Sequence, residues 1–329
     1  MQGQTRESGL YRLAGFVFAV VLAIAGLAYA IGGGAEAAPA AVAVADREPD
    51  RGKDAPRRAA AVRGGDEVCA PEGAPVELGE ELRESSGVAA SRAHPGIFWT
   101  HNDSGEPLLY AVDAAGRTVG RVRVADAEVE DWEDVSRAPC PGGGDCLYVA
   151  DVGDNDAARA SVTVWRLPEP APGAARSAPA TALRLRYPDG AHDAEAIYVA
   201  DGAVHVVTKG ESGPIAVYRA PADGGEATLQ RLRALSDDRV KKPERVTGAD
   251  VSPDGRWVAL RTLEEVALYP AAGLAGDGPL SPRRIGLGAL DEAQGEGVAF
   301  TPDGALVLTS EAGRKKGRAT LARMACTLR

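Results

Sequence analysis

The chain has 329 residues, of which 26% are charged and 45% hydrophobic, and it contains 4 Trp, 8 Tyr and 4 Phe. This composition is typical of a globular protein and excludes a collagen-like or wholly disordered chain. Because 47 acidic side chains outnumber 37 Lys and Arg, giving a net charge of -10, the surface is unsuited to a nucleic-acid backbone, and we exclude nucleic acid as a partner.

An apolar segment near the N-terminus predicts export from the cytoplasm. Residues 13–31 carry no charge, Arg6 and Arg12 precede them, and three glycines follow. This order is typical of a secretory signal, but the run is also long enough to span a bilayer, so residues 1–31 are either a cleaved signal peptide or a membrane anchor. The two arginines keep the N-terminal end inside, so either alternative places the rest of the chain outside the cytoplasm.

The next segment, residues 32–66, predicts a flexible linker. It consists mostly of Ala, Pro, Gly, Arg and Asp without hydrophobic periodicity. Such a stretch cannot bury enough apolar surface to offset the entropy lost on ordering. Residues 67–329 are then the folded domain, and the membrane is contacted only through the N-terminal segment.

From residue 84 onward the sequence repeats a short strand, a turn and a second strand, followed by a third apolar strand and a less regular fourth one. The repeats align on five apolar residues spaced 47, 62, 54 and 47 positions apart, namely Val88, Val135, Ile197, Val251 and Val298. Four-stranded antiparallel units with a period near ~40 to 50 residues are typical of a β-propeller. We therefore predict an all-β fold, a five-bladed β-propeller.

The last repeat contains three strands, and the residues just after position 66 can supply its missing outer strand and close the ring. Four cysteines permit three pairings. In an oxidising compartment this closure favours Cys69 with Cys326 across the junction and Cys140 with Cys146 inside one loop.

A set of oxygen-bearing residues precedes the aligned positions by two residues. In chain order the five positions hold Ser86, Glu133, Glu195, Ala249 and Glu296. If this side of the strands faces the central channel, three carboxylates converge there, and they require raised pKa values or a cation between them. Calcium, with about six to eight oxygen ligands, suits Ser86, Glu133, Glu195 and Glu296. The alternative is that the carboxylates cap turns or pair with arginine.

The loops after the second strands emerge on the same face and form a polar rim. The predicted ligand-binding residues of this rim are Asn102, Asp154, Asn155, Lys209 and Glu311. The candidates for proton transfer are His101, Asp103 and His192. For the two histidines the alternative is a structural role, with the ring bonded to the backbone.

The channel set Ser86, Glu133, Glu195 and Glu296 resembles the metal centre of the calcium-activated apyrase nucleotidases, which are five-bladed propellers. The resemblance implies the fold and a calcium-binding channel, and it breaks at Ala249. The acidic channel is also similar to that of six-bladed phytase-like and gluconolactonase-like propellers, which hold divalent metals. No surrounding catalytic residues match, so nucleotide hydrolysis is not implied.

Two functions remain open, and whether the protein is an enzyme is undecided. The main hypothesis is a monomeric, exported propeller that binds a polar small molecule or an extracytoplasmic protein, with calcium in the channel. The alternative is a calcium-dependent hydrolase of a phosphate ester, nucleotide or lactone, in which the metal polarises the substrate and a rim side chain transfers the proton.

Overall fold

The computed structural model describes residues 68–313 and 317–328, which form five β-sheets arranged as a ring. The first strand of each sheet lies beside the first strands of its neighbours. The predicted five-bladed propeller with four-stranded antiparallel blades is confirmed. The predicted signal or anchor segment and the linker lie outside the described residues. Among those that are described, no helix is long and apolar enough to cross a membrane.

The elements are almost all strands. The first ones in the chain are β1 (Cys69–Pro71), β2 (Val76–Glu77), β3 (Ser85–Ala90), β4 (Ile97–Asn102), β5 (Leu108–Asp113), β6 (Thr118–Ala125), β7 (Trp132–Pro139) and β8 (Asp145–Asp151). They are followed by β9 (Val162–Pro168), β10 (Arg176–Pro179), β11 (Thr181–Arg186), β12 (Ala194–Ala200), β13 (Ala203–Thr208), β14 (Ala216–Pro221), β15 (Gly225–Thr228) and β16 (Gln230–Ala234). The last ones are β17 (Val246–Val251), β18 (Trp257–Thr262), β19 (Glu265–Pro270), β20 (Arg283–Gly286), β21 (Gln294–Phe300), β22 (Leu306–Glu311) and β23 (Thr320–Cys326). The short helices are α1 (Ala271–Leu274) and the 3-10 turns Glu80–Leu82, Lys242–Glu244 and Gly288–Leu290.

The four main strands of blades 1 to 4 follow one another in chain order, and blade 5 also takes strands from the beginning of the domain. Blade 1 contains β3 to β6, blade 2 contains β7, β8, β9 and β11, blade 3 contains β12, β13, β14 and β16, and blade 4 contains β17 to β20. Blade 5 combines β21, β22 and β23 with β1 and β2 from the beginning of the domain, so the ring closes as predicted. The strands β10 and β15 add in parallel to the outer edges of blades 1 and 2.

Turn chemistry and apolar alternation explain why these segments form blades. Two of the three Pro-Asp-Gly sequences lie between the first and second strands of blades 4 and 5, where Gly255 and Gly304 adopt φ values of 70° and 83°. Apolar side chains of facing sheets fill the space between blades, as with the fully buried Trp99 and Trp132 between blades 1 and 2.

Two disulfides contain all four cysteines of the chain. Cys69 and Cys326 are direct partners in the antiparallel pair β1–β23 and are joined across 257 positions of sequence. Cys140 and Cys146 are joined at the turn between β7 and β8. These are the two predicted pairings, and they indicate an oxidising, extracytoplasmic compartment.

The innermost strands are connected by a buried carboxylate that crosses the axis of the ring. Asp134 in blade 2 is fully buried, and its Oδ2 accepts hydrogen bonds from the backbone N–H of Ile197 in blade 3 (2.9 Å) and Ala249 in blade 4 (3.1 Å). Its Oδ1 accepts from the N–H of Val135 (2.8 Å). Burial raises the pKa of Asp134 well above its usual range, while the three N–H groups oppose this shift.

Hydroxyl groups make further links between blades. Ser86 donates to the carbonyl of Glu133 in the next blade (2.6 Å), and Thr309 donates to the carbonyl of Ser86 (2.7 Å). The strands approach so closely that a Cβ on Gly297 would lie 2.7 Å from the Ser86 carbonyl oxygen, and one on Gly87 would lie 2.5 Å from the Asp134 Cα. Glycine is therefore required at both positions.

We expect the ring-closing disulfide to contribute most of the stabilisation that the two disulfides provide. Replacing both Cys69 and Cys326 by Ser should lower the free energy of unfolding by on the order of 4 to 5 kcal/mol, because the bond closes a loop of nearly the whole domain. The matched control, Cys140→Ser with Cys146→Ser, opens a short loop and should cost about 2 kcal/mol. Denaturant titration measures both, and equal losses would contradict the closure argument.

We expect Asp134→Ala to lower the free energy of unfolding by about 3 kcal/mol or more, because three buried N–H groups in three blades lose their acceptor. Asp223→Ala, at an exposed turn, is the control and should change it by less than about 0.5 kcal/mol. Urea titrations of both variants test this, and a loss for Asp134→Ala no larger than that of the control would count against the bridge across the axis.

Candidate functional site

A cavity of about 240 Å³ lies where the channel opens on the rim face, and all five blades contribute to it. We call it the mouth cavity. Its lining contains six carboxylates against three cationic side chains, an excess of three negative charges. The carboxylates are Asp103, Asp131, Glu133, Glu195, Glu296 and Glu311, and the cations are Lys209, Lys242 and Arg245.

A β-bulge in the first strand of each blade directs side chains towards the mouth cavity. The register between the first and second strands shifts at one point in every blade, at positions occupied by Ser86, Glu133, Glu195, Thr247 and Glu296. Bulges change the direction of a side chain relative to the regular pleat. The position that the sequence alignment assigned to Ala249 in blade 4 therefore belongs to Thr247, whose hydroxyl donates to the carbonyl of Glu296 (2.9 Å).

Lys209, directly after β13, places its ammonium group among the carboxylates of blade 3. Its Nζ forms an ion pair with Glu195 and lies 3.5 Å from Asp193 Oδ2. Burial lowers the pKa of Lys209, but the negative charges of Glu195 and Asp193 have the opposite and larger combined effect. The pKa of Lys209 is therefore raised overall. Burial and the charges of Asp193 and Asp131 raise the pKa of Glu195 to about 7, against the lowering effect of Lys209.

Glu133 and Glu296 are buried without a cationic partner. Glu133 is 8% exposed, and its carboxylate makes neither a hydrogen bond nor an ion pair with any described residue. Glu296 is 5% exposed, and its Oε1 accepts a hydrogen bond from Gln294 Nε2 (2.8 Å). Burial and then the charge of Glu195 raise the pKa of both carboxyl groups well above their usual range.

The outer part of the mouth cavity carries a second pair of acids, on blades 1 and 5. Burial and the neighbouring charge of Glu84 raise the pKa of Asp103 to about 6. Burial and the charge of Asp103 raise the pKa of Glu311 to about 7. These two groups therefore change protonation close to neutral pH.

Seven of the residues predicted to form the site line the mouth cavity. They are Asp103, Glu133, Asn155, Glu195, Lys209, Glu296 and Glu311. Ser86 does not line it, because its hydroxyl is used for the link to the Glu133 carbonyl.

The remaining predicted residues are used elsewhere. Asn102 donates to the carbonyl of Glu81 (2.8 Å), and Asp154 accepts from the N–H groups of Ala158 and Arg159 (2.9 and 2.8 Å), so both stabilise loops. His192 Nε2 lies 2.9 Å from Asp189 Oδ1, outside the mouth cavity.

His101, a predicted proton-transfer residue, is fully buried beneath the rim. Its ring lies edge-on to Trp132 with centroids 5.6 Å apart, and its Nδ1 lies 3.0 Å from the carbonyl oxygen of Asn102. Burial lowers the pKa of His101 to about 4, although backbone groups favour the protonated form. In this position the imidazole has no contact with the mouth cavity.

Sequence reasoning missed two cations of the lining, Lys242 and Arg245. The two cations flank the 3-10 turn that leads into blade 4, outside the repeated strand pattern. A signal was present in the sequence, since Lys242-Pro243-Glu244-Arg245 is the charged segment directly before the first strand of blade 4.

The donors in the mouth cavity suit a hard cation in chemistry and charge, because carboxylate and amide oxygens dominate the lining and Glu133 has no partner. Their present arrangement does not form a metal centre: within residues 68–313 and 317–328 no three His, Cys, Asp or Glu side chains are close enough to hold an ion together. Lys209, bound to Glu195, occupies the position of a counter-ion instead.

No protein-family profile and no curated protein matches the chain. A calcium-binding protein, regucalcin, from Agrobacterium tumefaciens is 16% identical, with 77% of this chain and 91% of that chain covered and a TM-score of 0.47. The PQQ-bound aldose sugar dehydrogenase of Streptomyces coelicolor is 13% identical, with 79% of this chain and 98% of that chain covered and a TM-score of 0.47. A gluconolactonase of Xanthomonas campestris is 15% identical, with 79% of this chain and 97% of that chain covered and a TM-score of 0.41. At these identities the likeness concerns the fold alone, and the resemblance of the channel to the apyrase metal centre stays a prediction.

We expect His101 to make the folded state sensitive to acid. With its pKa near 4 when folded and 6.5 when unfolded, the unfolded chain binds the proton more readily, so the contribution to stability is complete above pH 6.5 and is lost as the pH falls towards 4. Relative to His101→Phe, the wild-type protein should lose about 3 kcal/mol of unfolding free energy between pH 7 and 4, at ~1.4 kcal/mol per pKa unit. Denaturant titrations at both pH values measure this, and a constant difference between the two proteins would contradict it.

Proposed function

We propose that this propeller is an exported, calcium-dependent hydrolase whose mouth cavity binds a small polar molecule. The observation that carries the proposal is Glu133, a residue only 8% exposed, whose carboxylate lines the cavity and makes no hydrogen bond or ion pair with a described residue, beside two further buried glutamates. A buried, unpaired carboxylate is costly unless a cation or a proton compensates it. A hard divalent cation is the ligand that matches this donor set.

The size and depth of the mouth cavity favour a small molecule over a protein partner. Its volume of about 240 Å³ holds a small ligand, and the three central glutamates are 5 to 8% exposed, so the broad face of another protein does not reach them. Lys242 and Arg245 at its edge suit an anionic or strongly polar substituent such as a phosphate. The substrate class is accordingly a phosphate ester, nucleotide or lactone.

The residues have separate roles in this proposal. Glu133, Glu195 and Glu296 would hold the ion, which when bound supplies a Lewis acid that polarises a carbonyl or phosphoryl oxygen. Asp103 and Glu311, across the same cavity, would accept the proton of the attacking water, because general bases work best near the operating pH. Asn155 and Gln294 provide amide groups that orient the substrate.

The test is a comparison of wild-type protein with Glu133→Gln. We expect millimolar calcium to raise the melting temperature of the wild type and to support turnover within a panel of nucleotides, phosphate esters and lactones. Glu133→Gln should bind calcium at least about tenfold more weakly, equivalent to ~1.4 kcal/mol, and lose the turnover. Without calcium the variant should melt at a higher temperature, because an uncompensated buried charge has been removed.

Glu264→Gln, an exposed change of the same charge on the rim, is the matched control and should behave as the wild type. Absence of a calcium-dependent shift in the wild type would overturn the metal site. Calcium binding without turnover of any compound in the panel would leave a binding function in place of the hydrolase.

A further inference from the structure

The ammonium group of Lys209 lies between an inner and an outer set of acceptors. The inner set is Glu195, with which it forms an ion pair, and Asp193 at 3.5 Å. The outer set is Asn155, whose Oδ1 lies 3.5 Å from Nζ, and Glu211, whose Oε2 lies 3.7 Å away. The side chain therefore has polar partners both inside the mouth cavity and at its edge.

The inner position neutralises one of the three glutamates that a divalent cation requires. Two positive charges cannot share the Glu195 carboxylate at contact distance without strong repulsion. Within residues 68–313 and 317–328 no three metal-ligating side chains lie close enough to hold an ion. A bound ion must therefore draw the glutamates together, and the ion pair of Lys209 with Glu195 opposes this. The lysine and the cation are therefore alternative partners of the same oxygen atoms.

The surroundings allow the Lys209 side chain to move while its own backbone and Asp193 stay in place. The backbone of Lys209 is fixed at both sides, because its N–H donates to the carbonyl of Asp193 (3.0 Å) and its carbonyl accepts from Val246 (3.0 Å). Asp193 keeps its place without the ammonium group, since its Oδ1 accepts the N–H of Asp154 (2.9 Å). A change in the side-chain torsions of Lys209 is then sufficient to release Glu195.

We propose that Lys209 is a displaceable internal counter-ion, which neutralises Glu195 in the metal-free protein and moves outward to Asn155 and Glu211 when a divalent cation binds. This inference rests on the proposed calcium site. It makes Lys209 a positioning residue that lowers the affinity for the ion and stabilises the metal-free state.

Calcium titration calorimetry of the full chain tests the inference with three variants. Lys209→Met removes the competing charge and should bind calcium about tenfold or more tightly than the wild type, a change equivalent to ~1.4 kcal/mol. Lys209→Arg keeps the charge and should bind no more tightly than the wild type. Lys241→Met, an exposed lysine outside the mouth cavity, is the control and should match the wild type. Without calcium Lys209→Met should melt at a lower temperature, and calcium should restore it.

A second measurement uses the wild-type protein and does not depend on how well a variant folds. The rate at which acetic anhydride modifies Lys209, read by mass spectrometry, should rise when calcium is added, while the rate at Lys241 stays constant. Calcium binding with an unchanged rate at Lys209 would overturn the displacement.

The outcomes separate this inference from the proposed function. If the wild type binds calcium and Lys209→Met binds equally or more weakly, the counter-ion role is overturned and the calcium site stands. Tighter binding by Lys209→Arg would also overturn it, because the effect would not follow the charge. If neither the wild type nor Lys209→Met binds calcium, both proposals are overturned.

Discussion

The carboxylate of Asp134 connects strands of three blades across the axis of the ring, and the geometry of the site depends on it. A propeller is held together mainly by apolar contacts between neighbouring sheets, which do not constrain the centre. By accepting N–H groups from Ile197 and Ala249, Asp134 fixes the inner strands of blades 3 and 4 against blade 2.

Glu133, the residue directly before Asp134, lines the mouth cavity. Glu133 precedes Asp134 at the bulge of β7, and Glu195 and Glu296 occupy the equivalent bulges of β12 and β21. A bulge leaves one residue without a partner in the ladder, and that side chain is free to point along the axis. The structural carboxylate of Asp134 and the carboxylates that line the mouth cavity thus lie at one local irregularity that recurs around the ring.

The architecture was largely predictable because it follows from repetition. Five strand pairs with similar spacing predict five blades, and the incomplete last repeat predicts both the closure by β1 and the Cys69–Cys326 pair. The register of blade 4 was not predictable, because alternation with a period of two does not reveal a β-bulge. The sequence alignment therefore put Ala249 at the position that Thr247 occupies. The burial of His101 was missed for a related reason. Its position near the end of a strand predicts a rim residue, and the contact with Trp132 of the adjacent blade, which covers the ring, cannot be seen in the sequence.

The role proposed for Lys209 escapes sequence analysis because it depends on the distances from its ammonium group to Glu195 and Asp193 in the same blade and to Asn155 in the neighbouring one. As one polar residue in a loop it is indistinguishable from a solubilising lysine, and its effect comes from the acids contributed by β12 and its neighbours. Three buried glutamates without a counter-ion would strain the metal-free fold, whereas a permanently fixed counter-ion would abolish binding of an external cation. An ammonium group on a flexible side chain, with acceptors both inside and outside the cavity, satisfies both requirements. A cation that replaces it at Glu195 stabilises the folded domain only by the difference between its own interaction and that of the ammonium group.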